Sequence, residues 1–397
     1  MRELAVVKFG GTCLAGGEER ALSADRCVEL LEDFQRLVVV VSAMGRSGDP
    51  YATDSLLSLA PEATASERDS LMACGELISA AVMAALLRRR GIGAAALSGA
   101  DAGIVTDGVE GDSRIECVYR EPLSCVLRES RVAVVAGFQG QSRQGRITTL
   151  GRGGSDTTAL ALASALDADE AILYKQVDSV YTADPSRVSQ ARPIRRISAE
   201  DLRQMAWQGA RVVHPRAAEI SAESGVPIQV RSLRGGELVT EIEPCVLDTG
   251  RYITGVASGP EVCQIRAAGG ASVSRARFFA AVFGAVADAG VSMDMFSVMD
   301  TLAVFTVPSV ESERVREILE GLGMQVETLG PCAKVSIVGA GMHGMRGVMA
   351  RFSRALAEEG IDMLQTVDSH ATISALVRFG LRDRALRALH REFLEDG

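Results

Sequence analysis

Lys8-Phe9-Gly10-Gly11-Thr12 stands directly after an apolar run, and Gly151-Arg152-Gly153-Gly154-Ser155-Asp156-Thr157-Thr158 opens an Ala/Leu-rich helical stretch. Both patterns suit an anion. Consecutive glycines let the backbone approach a ligand with its N–H donors exposed, and Lys8 adds a compact positive charge. Glycines followed by Ser-Asp-Thr-Thr put backbone amides, a capping hydroxyl and a carboxylate at a helix N-terminus, where anions bind. Either loop alone reads equally well as a turn or an elaborate cap. Two of them at strand ends in one α/β domain point to a phosphate-handling cleft, although neither has Walker spacing. A third loop, Val177-Asp178-Ser179-Val180-Tyr181-Thr182-Ala183-Asp184-Pro185, combines ordinary turn chemistry with an aromatic, Tyr181, of a kind that lines purine pockets. Lysine usage adds a filter: of 42 Lys and Arg residues only Lys8, Lys175 and Lys334 are lysines. A lysine that persists in so Arg-rich a chain marks a place where a compact ammonium is needed, or persists by chance.

The elements that must position these loops follow from periodicity. Leu4–Val7, Leu37–Ser42, Ala94–Leu97, Val132–Ala136 and Ala171–Tyr174 read as buried strands. Arg20–Arg36, Ser66–Arg90, Ser113–Arg128 and Ser155–Leu166 read as helices between them, and Ala199–Met205, Pro215–Ser224 and the strand Ile228–Arg231 continue the alternation. Strands alternating with helices predict a mostly parallel sheet covered on both faces, a three-layer α/β/α domain over residues 1–245. The rhythm breaks near Gly235-Gly236, which reads as a linker into Glu237–Asp248.

Beyond it the order changes. Val262–Arg266, Ala276–Ala289, Ser292–Val298, Leu302–Val307, Glu311–Leu322 and Gln325–Leu329 read as one βαββαβ unit. Ala333–Val338, Met345–Glu359, Asp362–Val367, Ala371–Val377 and Arg382–Phe393 repeat βαββα. The tail is therefore two copies of one ferredoxin-like domain. Tyr252–Ala257 is the right length to supply the strand the second copy lacks. The expected boundaries are 262–330 for an inserted first copy, and 250–258 plus 332–397 for the second.

Composition excludes other classes. The 397 residues are 47% hydrophobic and 23% charged with a net charge of −9, ordinary for globular domains and unfavourable for nucleic acid as main partner. Eight scattered cysteines without a C-x-x-C pair read as reduced, mostly buried small hydrophobes. No uninterrupted apolar run approaches the roughly 20 residues of a bilayer span, and no signal-peptide pattern opens the chain, so a cytoplasmic protein is expected. Gly339-Ala340-Gly341-Met342-His343-Gly344, with Asp362 downstream, resembles a dinucleotide fingerprint, but too little chain follows for a doubly wound sheet; a glycine-rich turn is expected. His343, His370 and His390 lack metal spacing and are expected at the surface or in turns.

Taken together the three loops resemble the aspartate kinase family, whose signatures are Lys-Phe-Gly-Gly-Thr-Ser, Gly-Arg-Gly-Gly-Ser-Asp and Val-Asp-Gly-Val-Tyr-Thr-Ala-Asp-Pro-Arg. Val41-Ser42-Ala43-Met44-Gly45, Gly75-Glu76 and His214-Pro215-Arg216-Ala217 fit the same pattern, and the tail resembles that family's paired ACT regulatory domains. The resemblance implies ATP-dependent phosphorylation of the side-chain carboxylate of L-aspartate, with Mg²⁺ held mainly through the nucleotide. It implies Lys8 at the transferring phosphoryl group and Asp156 organising Lys8. Ser42, Thr53, Glu76, Arg152 and Ser155 would form the aspartate pocket, with Arg152 on a carboxylate and Glu76 on the ammonium. The nucleotide would meet Gly10, Gly11, Gly153, Gly154, Lys175, Gln176, Tyr181, Asp184, Arg187 and Arg211. Ser292, Met293 and Asp294 would bind an amino-acid effector such as lysine, threonine or diaminopimelate, and the ACT domains would pair a homodimer. The chain departs from the family pattern at Lys175-Gln176, which replace Thr-Asp, at Ser186 for Arg, at Arg211 for Lys, and at Cys13 for Ser. Two readings follow: an active ATP-dependent kinase in which Lys175 and Arg211 compensate, or a homologue with damaged nucleotide recognition, left as a weak kinase, one of altered nucleotide preference or specificity, or an amino-acid-sensing regulatory protein.

Overall fold

Valine-rich runs buried on both faces build the centre of the structure, as a parallel sheet sandwiched by helices requires. The computed structural model describes residues 1–177, 179–210, 212–236, 238–245, 252–269, 274–342 and 345–395. They fall into two units: 1–180, 193–206 and 211–248, and then 181–192, 207–210 and 249–397. The stretches 181–192 and 207–210 thus cluster with the second unit, inside the span expected for the first domain.

In chain order the first part contains β1 (Arg2–Phe9), α1 (Gly17–Asp33), β2 (Phe34–Val41), α2 (Thr53–Leu57), α3 (Ala65–Arg89), β3 (Ala94–Leu97), β4 (Ile104–Thr106) and β5 (Ile115–Val118). Then come α4 (Arg120–Glu129), β6 (Val132–Ala136), β7 (Gln139–Ser142), β8 (Ile147–Thr149), α5 (Gly154–Ala165) and β9 (Glu170–Lys175). After the two-residue strands β10 (Val180–Tyr181) and β11 (Pro193–Ile194) follow β12 (Arg196–Ser198), α6 (Ala199–Trp207), α7 (Pro215–Ser224), β13 (Ile228–Ser232) and β14 (Val239–Glu243).

Eight strands form one sheet in the order β12-β14-β13-β9-β1-β2-β6-β3. All neighbours are parallel except β13 and β14. Alternation along β1 sends Ala5, Val7 and Phe9 into a core with α1 and α3. Val6 and Lys8 therefore face the side on which α5 packs. The C-terminal ends of β1, β2 and β9 converge on one edge, where α5 begins, and α/β sheets bind ligands at such edges.

Three expectations need correction. The helix drawn over Arg20–Arg36 stops at Asp33, because Phe34 is fully buried and starts β2. The helix drawn over Ser113–Arg128 begins only at Arg120; residues 115–118 instead form β5, in a four-stranded sheet ordered β5-β4-β7-β8. Those strands have three or four residues each, too short for periodicity to reveal. Finally, α3 is, among the described residues, the one helix long and apolar enough by average composition to cross a membrane. No unbroken apolar run underlies it: buried Asp69 and Glu76 lie on its inner face with Ala73, Ala80 and Met83.

The second unit carries β15 (Gly255–Ala268), α8 (Arg275–Asp288), β16 (Asp294–Met299), β17 (Leu302–Pro308), α9 (Ser312–Gly321), β18 (Gln325–Val338), α10 (Val348–Glu358), β19 (Gln365–Asp368), β20 (Thr372–Arg378) and α11 (Arg382–His390). Its six-stranded antiparallel sheet has the order β16-β17-β15-β18-β20-β19. Segments expected as separate strands are fused: β15 and β18 are 14 residues each and run through both repeats. Gly255–Ala257 pair with Val338–Ser336 in the second repeat, while Gln264–Ala268 pair with Leu329–Gln325 in the first. Two cores result, one under α8 and α9 around Phe278 and Phe305, the other under α10 and α11 around Phe352 and Leu389.

Gly339 follows a strand in the middle of this antiparallel sheet, and a Cβ there would sit 2.1 Å from the Tyr252 carbonyl oxygen. It is a packing glycine, as expected, with no parallel βαβ unit around it; His343 and Gly344 lie outside the described residues. His390 corrects the surface reading. It is fully buried among Leu386 and Leu389, with Nε2 2.9 Å from the Thr182 hydroxyl and Nδ1 2.8 Å from Glu395. All eight cysteines are free, and only Cys13, Cys27, Cys263 and Cys332 are buried.

Candidate active site

The C-terminal edge of the large sheet opens into a cavity of about 680 Å³ lined by Lys8, Gly11, Ser42, Thr53, Glu76, Arg152, Gly153, Gly154, Ser155, Asp156 and Lys175, among others. Residues from five separate chain segments are thereby brought together. Lys8 comes from β1, Ser42 from the end of β2, Glu76 from mid-α3, Asp156 from the first turn of α5 and Lys175 from the end of β9.

Asp156 is the hub. Its Oδ1 lies 2.8 Å from Lys8 Nζ and its Oδ2 accepts a hydrogen bond of 2.6 Å from Lys175 Nζ. Burial alone would raise this carboxyl; the ammoniums of Lys175 and Lys8 outweigh burial and hold it well below the usual carboxylate range. Burial and the like charge of Lys8 in turn lower Lys175, against the pull of Asp156.

The helix carrying Asp156 starts without a side-chain cap. Its N-cap is Gly153, in the left-handed region at φ 72°, where an added Cβ would sit 2.2 Å from the His214 ring. The expected capping hydroxyl has another partner: Ser155 Oγ meets Ser42 Oγ at 3.0 Å. The Gly154 amide is taken by the Gly151 carbonyl oxygen at 3.1 Å, and the rest of the first turn, Ser155 and Asp156, lines the cavity at a helix N-terminus, where an anion is favoured. Gly11 is required by close approach, since a Cβ there would lie 2.6 Å from the Ala43 carbonyl oxygen. Its own carbonyl accepts from the Gly45 amide at 2.9 Å, lacing the first loop to the loop after β2.

Glu76 supplies the opposite pole. Oε1 accepts from the Ala43 amide at 3.0 Å, whereas Oε2 is buried without any hydrogen-bond partner. Burial pushes this carboxyl up to about 8, against the lowering effect of the Ala43 amide. An orphaned carboxylate oxygen in a polar cleft is a place for a ligand's cation. Arg152, exposed at the rim, makes no ion pair among the described residues and leaves its guanidinium open to a carboxylate. Thr53, at the start of α2, completes that wall.

Other residues singled out by sequence lie elsewhere. Gln176 accepts from Arg46 Nη2 at 2.9 Å, on the first unit. Tyr181, Asp184 and Arg187 belong to the second unit, where Arg187 lies 3.2 Å from Asp184 and 2.7 Å from Asp383. Arg211 lies outside the described residues. Of the effector set, Ser292 and Asp294 are exposed, Met293 packs on the first-repeat core, and Asp294 Oδ2 lies 2.7 Å from Lys334 Nζ.

Sequence reasoning missed Asp69, Phe138 and the placement of His214 against Gly153. Asp69 is buried two helical turns before Glu76 on the same face of α3, and it accepts from the Gly111 amide and from the Thr149 amide and hydroxyl. The seven-residue spacing of two acids in an apolar helix was the available signal. Phe138, φ 68°, left none.

With that geometry in place, comparison with known proteins is informative. The amino acid kinase family model matches residues 3–232, and an ACT domain model matches 328–391. The chain is 40% identical to aspartokinase 1 of Bacillus subtilis over 401 residues, 98% of this chain and 99% of that protein. It is 37% identical to the aspartokinase of Corynebacterium glutamicum, covering 98% and 96% of the two chains. Among solved structures, E. coli aspartokinase III in complex with aspartate and ADP superposes with a TM-score of 0.81 over 98% of this chain and 99% of that one, at 23% identity, a likeness of fold.

Proposed function

The chain belongs to the aspartokinase family, and we propose that the Lys8–Asp156–Glu76 cleft performs that family's reaction through the residues described. The reaction is transfer of the γ-phosphoryl group of ATP to the side-chain carboxylate of L-aspartate, giving 4-phospho-L-aspartate, with regulation through the ACT domains. This product opens lysine, diaminopimelate, threonine and methionine biosynthesis. The observation that carries the assignment of roles is that one cavity gathers two ammoniums held by Asp156, an unpartnered carboxylate oxygen of Glu76 and the guanidinium of Arg152, which makes no ion pair among the described residues.

Phosphoryl transfer asks little covalent help of a protein; positioning and neutralisation of charge dominate. Lys8, held by Asp156, neutralises charge developing on the transferring group. Gly10, Gly11 and Gly153 donate backbone amides to phosphate oxygens, while Gly154, whose amide is given to the Gly151 carbonyl oxygen at 3.1 Å, lets the phosphate approach the start of α5. Glu76 Oε2 takes the substrate's ammonium, Arg152 its α-carboxylate, and Ser42, Ser155 and Thr53 the surrounding polar contacts, which leaves the side-chain carboxylate directed at Lys8. Among the described residues no group of three His, Cys, Asp or Glu side chains is placed to hold a metal. Both Asp156 oxygens face ammoniums, a donor set that suits Mg²⁺ carried on the nucleotide's phosphates, where it would add charge neutralisation.

Ser292, Met293 and Asp294 form the proposed amino-acid effector site. A homodimer through the ACT unit is supported by its edge strand β16, on which Phe296, Val298 and Met299 are exposed. ATP and free amino acids are cytoplasmic pools, which supports that location. The sensor reading has no observation in its favour, since Lys8, Asp156, Glu76 and Arg152 are assembled in one cleft.

The test is a hydroxamate assay with L-aspartate, ATP and Mg²⁺, with and without lysine, threonine or diaminopimelate. Aspartate-dependent hydroxamate is the expected result, and the inhibiting amino acid names the effector. Folded protein that gives none with aspartate would overturn the reading.

A further inference from the structure

Lys175 is outside the pattern the chain shares with its family, and it is one of only three lysines. Two of those three converge on a single carboxylate. β1 and β9 are parallel neighbours with Lys8 opposite Leu173 and Phe9 opposite Tyr174. Lys175, two residues past Leu173, lies on the face of Lys8 and one step nearer the mouth of the cleft.

Charge balance does not account for it. Lys8 by itself neutralises Asp156, so the second ammonium leaves a surplus positive charge, and the two side chains holding it are 8% and 17% exposed. The remaining acids of the lining do not take up that surplus: Glu76 accepts from the Ala43 amide, and Asp54, on α2, makes no ion pair with either lysine. Two ammoniums on one carboxylate repel each other, and an arriving anion relieves that repulsion; burial first, and then the charge of Lys8, lower the proton affinity of Lys175. The N-terminus of α5, which has no side-chain cap, lines the same cavity. We propose that Lys175 is a second phosphate-binding residue of this site, presented by Asp156 opposite Lys8 so that the two ammoniums flank the polyphosphate of a nucleoside di- or triphosphate. This deepens the kinase reading and rests on it for the identity of the ligand.

The test compares Lys175→Met and Lys175→Arg with the parent chain by calorimetric binding of ADP and of AMP in the presence of MgCl₂, with no aspartate present. Asp156 keeps Lys8 in Lys175→Met, so the buried carboxylate remains paired and the fold should hold. A thermal melt checks this, and Lys175→Arg, which keeps the charge, serves if Lys175→Met does not fold. The expected result is an affinity for ADP at least about tenfold weaker in Lys175→Met, with AMP changed less than about twofold and Lys175→Arg partly restored. In steady state KM for ATP rises while KM for aspartate stays. Equal weakening of ADP and AMP, or unchanged ADP binding, would overturn the proposal. Because the binding arm needs no turnover, a chain inactive on aspartate would refute the kinase reading and still leave this one decided.

Discussion

Glu76 couples the chemistry of the cleft to the stability of the fold. Burial raises its carboxyl from 4.5 to about 8, so the native state keeps a proton that the unfolded chain has released. Its contribution therefore falls as pH rises between those two values, by an amount on the order of a few kcal/mol. Glu76→Gln should remove that slope and raise the melting temperature at pH 8, while raising KM for aspartate about a hundredfold by deleting the anion that receives the ammonium. Binding of aspartate should expel the Glu76 proton near neutral pH, read as a dependence of calorimetric heat on the buffer's ionisation enthalpy. An unchanged slope, or no proton released, would separate Glu76 from substrate binding. The hub separates the two properties differently. Lys8→Ala leaves Asp156 paired with Lys175, so turnover should fall at least about 100-fold with little change in melting temperature. Asp156→Ala strands two buried ammoniums and should cost both turnover and about 3–5 kcal/mol of stability. Equal melting temperatures for the two variants would count against the hub.

At the scale of elements, the start of α5 decides whether those charges meet. Gly153 and Gly225 both sit at helix ends in the left-handed region, at φ 72° and 78°. A Cβ at Gly225 meets nothing within 4 Å, whereas one at Gly153 drives into His214. Gly225→Ala should cost only backbone strain of about 1–2 kcal/mol and leave kinetics unchanged. Gly153→Ala should shift the first turn of α5 and raise KM for ATP about tenfold or more. Parallel kinetic and melting measurements on the two variants check this, and equal kinetics would deny the loop its phosphate role. The loop's anion-binding pattern was legible in sequence because its glycines and carboxylate are contiguous. Lys175 was conspicuous by rarity, but its bond to Asp156 depends on the register of β9 against β1, which no local pattern carries. Glu76 came only through family resemblance, since an acid in an Ala-rich helix has no local signature of facing a cleft. The alternating β/α order was legible from long apolar strands, whereas the small β4–β5–β7–β8 sheet was not, because three-residue strands carry no period. The internal repeat was visible as two copies of one order, yet the fusion of their strands into β15 and β18 was not, because Gly259-Pro260 and Gly330-Pro331 interrupt the apolar pattern inside those strands.

At the scale of the whole molecule, the regulatory unit is one continuous sheet rather than two independent repeats. β15 and β18 cross both halves, and Gln264 donates to Gln365, tying β15 in the middle of the sheet to β19 at its second-repeat edge. A ligand acting on β16 therefore acts on a connected body, through whatever holds β16 to its neighbours. One such tie is the pair between Asp294 on β16 and Lys334 on β18, whose ends are 2.7 Å apart. Asp294 is the one carboxylate among Ser292, Met293 and Asp294 of the proposed effector site and the natural partner of an effector's ammonium; it is already paired with the chain's own ammonium, so an effector binding there competes with Lys334. Lys334→Ala should then lower the concentration of effector needed for half-inhibition several-fold and leave uninhibited turnover unchanged. Asp294→Ala should abolish inhibition, again without altering basal turnover. Inhibition curves for the two variants, with the effector that the hydroxamate assay identifies, decide the matter. Weaker inhibition in Lys334→Ala would mean that Lys334 grips the effector's carboxylate instead of competing with its ammonium, and unchanged curves in both would remove Asp294 from the effector site.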